Sequence, residues 1–133
     1  MDYSKVCNEI LKINPKIRFA GVYDTINGEV YNKVQDGVKI LFTKEQSKTS
    51  MIKAYGRWKS RRHLKEIIGE PVYTMTKYTK INRITMPCGE NGLLMISTEV
   101  DLEPHEIIND ILKIEEKFAD KEGYAARTSQ MNF

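Results

Sequence analysis

Two Asn-Gly steps, Asn27-Gly28 and Asn91-Gly92, most restrict how this chain can fold. Each closes a short polar stretch between runs with strand character, and Asn-Gly is the strongest short-range hairpin signal. Ile17 to Asp24 reads as a strand with Ile17, Phe19, Gly21 and Tyr23 on one face and Ala20 and Val22 on the other, and Glu29 to Val34 is its return. Asn82 to Met86 and Leu93 to Val100 flank the second turn, Pro87 to Gly92. The continuous apolar run Leu93 to Ile96 suits a central strand buried on both faces. Val72 to Tyr78 adds a further strand. Strands joined by tight turns are antiparallel, so the chain is expected to hold a five-stranded antiparallel sheet.

The longest helical stretch, Thr43 to Gly69, lies between the two groups of strands. Thr43 suits an N-cap, and Gly69 followed by Pro71 is a stop signal. Met51, Ala54, Tyr55 and Trp58 share one face at helical spacing. Carrying that face forward reaches Arg62 and Lys65, whereas Leu64, Ile67 and Ile68 lie nearly opposite, in line with Arg57 and Arg61. Either the helix breaks, near Gly56 or Arg61, and its second half turns back onto the sheet, or its two halves pack against different bodies. Tyr3, Val6, Cys7, Ile10 and Leu11 form the stripe of a short N-terminal helix ending at Asn14-Pro15. Pro104 opens the last helix, striped by Ile107, Ile108, Ile111, Leu112 and Phe118. The fold expected is α+β, with the long helix on one face of the sheet and the N- and C-terminal helices on the other. Phe19, Val22, Leu94, Ile96, Ile108 and Ile111 are its expected core. One domain spans 1–118, and 119–133, where periodicity fades, is expected to be a mobile tail.

Lys53, Arg57, Lys59, Arg61, Arg62 and Lys65 crowd the middle of the chain, with His63 among them. Arg57, Lys59, Arg61, Arg62 and His63 are candidates for binding an anion or an acidic partner. The competing reading is a solvated face whose aliphatic stems cover core. Net charge is only 21 − 18 = +3, and the basic side chains point all around the helix, so weak non-specific nucleic-acid binding is the most expected of segment 53–65. Cys7 and Cys88 are too few for a disulfide framework, and neither they nor His63 and His105 have metal-ligand spacing. No metal or cofactor is expected. Glu115-Glu116 and His105-Glu106 are expected to face solvent. No phosphate-loop, dinucleotide, zinc-hydrolase or nucleophile-elbow motif occurs, so catalysis is not expected. No apolar run approaches the ~20 residues of a membrane span. The amphipathic N-terminus and sparse cysteines lead us to expect a cytoplasmic chain.

The order helix, two strands, long helix, three strands, helix resembles the roadblock family of dynein-light-chain-like proteins, within the longin and profilin-like group. Three segments, IRFAGVYDTINGEV, GRWKSRRHLKEIIGEPVYT and ITMPCGENGLLMISTEVD, look like a family of short, uncharacterised archaeal proteins. The roadblock resemblance implies a non-catalytic interaction or scaffold module, dimeric through the long helix and an edge strand, serving as a platform for a small GTPase or another partner. Combined with the switched stripe, it makes Trp58, Leu64, Ile67 and Ile68 the expected homodimer interface. The other readings are a small-molecule sensor, with a pocket between sheet and long helix, and a nucleic-acid binder through 53–65.

Overall fold

The computed structural model describes residues 1–119; most of the expected tail, 120–133, lies outside them. Strands β1 (Ile17–Asp24), β2 (Val30–Val34), β3 (Thr74–Lys77), β4 (Asn82–Cys88) and β5 (Gly92–Thr98) form one antiparallel sheet in the order β2-β1-β5-β4-β3. The helices are α1 (Tyr3–Leu11), α2 (Lys44–Arg62), α3 (Lys65–Ile68) and α4 (Ile108–Phe118), and a 3-10 turn spans Pro104–Glu106. Pro104 thus opens its own short turn ahead of α4. The α+β class and the five-stranded sheet agree with the sequence.

Register explains the two layers. Ala20 faces Ile96 and Val22 faces Leu94 across β1 and β5, and Ile84 and Met86 extend that row on β4. Val6, Cys7 and Ile10 of α1 and Ile108 and Ile111 of α4 cover this face, forming the larger core. On the other face Leu93 and Met95 meet Met51, Ala54 and Trp58 of α2. β5 is central and covered on both sides, as its unbroken apolar run requires. Of the expected core, only Phe19 is half-buried. It lies on the α2 face with its ring over Gly21, where a Cβ would stand 2.7 Å from Phe19 Cζ.

Several boundaries move for local reasons. β3 starts at Thr74, leaving Val72 and Tyr73 outside the ladder. Pro87 and Cys88 belong to β4 rather than to the turn. Pro87 pairs with Leu93 of β5 but lies past the last β3 pair, Thr74 with Thr85, so β4 has a neighbour on one side only there. The left-handed residue of that turn is Gly89, at φ +67. Gly92 is already strand, and a Cβ there would lie 2.5 Å from the Cys88 carbonyl oxygen, so close approach is what calls for glycine. Glu115, expected in solvent, is 2% exposed: it falls on the stripe of Ile108 and Ile111, one further turn along α4.

Candidate functional site

The chain turns a corner where α2 ends. Thr43 caps α2 in a reciprocal box with Gln46, and the helix runs unbroken through Gly56 to Arg62. The break comes close to Arg61, the later of the two expected positions, at His63-Leu64, before the single turn of α3. Lys59, Arg61 and Arg62 occupy the last turn of α2, where cations offset the partial negative charge of unpaired carbonyls. That accounts for part of the basic cluster without any partner.

The corner is fastened by Glu70, which no pattern in the sequence singles out. Its carboxylate accepts from Arg62 Nε at 3.2 Å and Nη2 at 3.1 Å, with Lys65 Nζ at 3.9 Å. Arg62 is therefore occupied within the chain. The Lys59 ammonium lies 4.6 Å from the centre of the Tyr55 ring, but its outer side, like Arg57, Arg61 and His63, is open. These four form the free part of the candidate anion-binding set.

The break does not return the second half of the stripe to the sheet. Leu64 is 51% exposed, Ile67 80% and Ile68 76%. Val72 and Tyr73 follow at 40% and 42%. A run of bare aliphatics on a short helix, next to an edge strand with unpaired backbone groups, is a surface of the kind that proteins cover. Trp58 does not belong to it. At 4% exposure it is buried on Leu93 and Met95 and has no surface left to offer another chain.

Both cysteines are buried, and neither is part of a disulfide. Burial pushes the Cys7 thiol up to about 12, the nearby Lys33 charge only partly opposing it. Among the described residues no cluster of His, Cys, Asp and Glu could hold a metal, and no helix is long and apolar enough to cross a membrane. A cavity of about 250 Å3 lies between the sheet, the start of α2 and the connection that precedes it.

No protein-family model and no curated protein matches the chain. Solved structures do. The gliding protein MglB from Thermus thermophilus superposes with a TM-score of 0.68 at 15% identity, over 84% of this chain and 82% of that one. MglB in a tetrameric arrangement gives 0.69 at 14% identity, over 85% and 82%. A roadblock/LC7 domain from Streptomyces avermitilis gives 0.68 at 9% identity, over 88% and 94%. The fold is that of roadblock/LC7 domains. At such identities the likeness is one of architecture.

Proposed function

We propose that the chain is a non-catalytic protein-interaction module, a single domain over 1–118 that forms homodimers and works in the cytoplasm without a cofactor. The observation that carries this reading is the uncovered aliphatic corner, Leu64, Ile67 and Ile68. Burying such side chains stabilises by about 1.5–3 kcal/mol each, and a second copy supplies the same surface in return. The roadblock/LC7 architecture supports it, since one neighbour of this fold is described in a tetrameric arrangement. Arg57 and Arg61 flank the corner and would meet acidic side chains at the rim. The outward cations Arg57, Lys59, Arg61 and His63 would receive a further partner with an acidic face, a small GTPase or another folded protein.

Light scattering at micromolar concentration tests the dimer. The expected mass is twice 15.4 kDa, falling to the monomer in Leu64→Glu combined with Ile68→Glu. A monomeric mass for the unaltered chain, or a dimer indifferent to the double substitution, would refute the reading.

A further inference from the structure

Helix α2 covers only part of its face of the sheet. Met51, Ala54 and Trp58 close over Leu93 and Met95. Towards the start of α2 the sheet floor continues through Phe19, Val34 and Met95, and its roof is the connection Val38–Phe42 rather than a helix. The volume of this open-mouthed cavity, about 250 Å3, lies just below the ~300–1,000 Å3 of typical small-molecule pockets. The roof holds apolar side chains with no full cover: Ile40 is 65% exposed, Leu41 50% and Phe42 40%.

The charges around this cavity have one sign. Arg18, Lys39, Lys44 and Arg83 line it, and no Asp or Glu does. Arg18 is satisfied, donating to Glu99 Oε1 at 2.6 Å and to the Lys39 carbonyl oxygen at 3.0 Å. Arg83 is not. Its guanidinium touches the Met95 thioether and lies 5.5 Å from the centre of the Phe42 ring, and among the described residues it has no carboxylate partner. A guanidinium carries five N–H donors, so most of those on Arg83 remain for something else. The N-terminal end of α2, at Thr43 and Lys44, borders the same space and adds potential of the same sign.

We propose that this cavity binds a small anionic amphiphile, a medium-chain fatty carboxylate, with its chain on the Phe19–Val34–Met95 floor and its carboxylate on Arg83. Complementarity of both kinds selects that class. The cationic lining disfavours an amine, a small hydrophilic anion would leave the apolar part of the lining uncovered, and the volume suits a medium-length chain better than a long one. The cavity does not include the aliphatic corner, so the homodimer can fail while this site holds, and the reverse.

The test is titration of the full-length protein with octanoate, followed by calorimetry and by NMR of the methionine and aromatic resonances. Saturable binding is expected, with shifts confined to Phe19, Phe42 and Met95. Octanol, which keeps the chain without the charge, should bind about tenfold more weakly or worse, the loss expected for one charge-assisted contact, and inorganic phosphate, which keeps charge without the chain, should bind at least about tenfold more weakly because it buries no apolar surface. Arg83→Met should remove the preference for octanoate over octanol, while Arg61→Met, at the far end of α2, should leave it intact. No saturation, equal affinity for octanoate and octanol, or an unchanged preference in Arg83→Met would overturn the proposal. So would shifts of the unaltered protein that fall outside the cavity, a reading that does not depend on any variant folding.

Discussion

Single residues show where pattern reading succeeds and where it stops. Leu94 and Ile111 are fully buried from opposite sides of the larger core. Replacing either by Ala removes apolar contact and leaves a cavity, and should cost about 2–5 kcal/mol, read as a lowered urea midpoint with an unchanged slope. Cys7 makes a different case. Its thiol is pushed up to about 12 by burial, so the folded chain keeps the proton while the unfolded chain loses it from about pH 8.5 upward. This contribution to stability is complete below the unfolded value and is lost as pH rises toward the folded one. Native protein at pH 8 should accordingly resist a thiol-specific reagent that labels Cys7 quickly in urea, and fast native labelling would contradict its burial. All three positions were legible because apolar residues at strand and helix spacing have one place to go. Glu115 was not. Its residue type assigns it to solvent, whereas its place one turn beyond Ile111 on the buried stripe of α4 carries it inside.

At the scale of elements, all five strands and the long helices follow from periodicity and turn chemistry, whereas their ends depend on neighbours. β3 is short because β4 alone pairs with it. The helix break falls later than the propensity penalty of Gly56 suggests. That penalty is small against three buried contacts of α2 on either side of it, Met51, Ala54 and Trp58, so packing overrides it. The consequence is measurable. Gly56 is exposed, and a Cβ built there meets nothing within 4 Å. Gly56→Ala should therefore stabilise the monomeric fold by about 0.5–1 kcal/mol, seen as a raised denaturation midpoint. Destabilisation would instead place a break at Gly56. A pocket between sheet and long helix was among the readings of the sequence, but its roof, Val38–Phe42, was not, because what that run covers is set by where α2 crosses the sheet.

The whole molecule carries two surfaces of opposite character at one corner, and salt separates them. Leu64, Ile67 and Ile68 are apolar and would be buried at the centre of a dimer contact. Arg57, Lys59, Arg61 and His63 remain open to water and act at a distance on anything acidic. Raising ionic strength to about 1 M shortens the Debye length to ~3 Å, which screens the second surface and leaves the first intact or slightly strengthened. The expected result is a dimer whose dissociation constant barely changes with salt, while capture of an acidic protein or of a short duplex weakens steeply. Duplex binding should already be poor at physiological salt, in the ~10⁻⁴–10⁻⁶ M range of non-specific association. The net charge is only +3, Arg62 is held by Glu70, and the remaining cations do not form one continuous stripe. A dimer that falls apart as salt rises would move the interface from the aliphatics to the arginines. Tight, sequence-selective duplex binding at physiological salt would instead make the basic corner a nucleic-acid site.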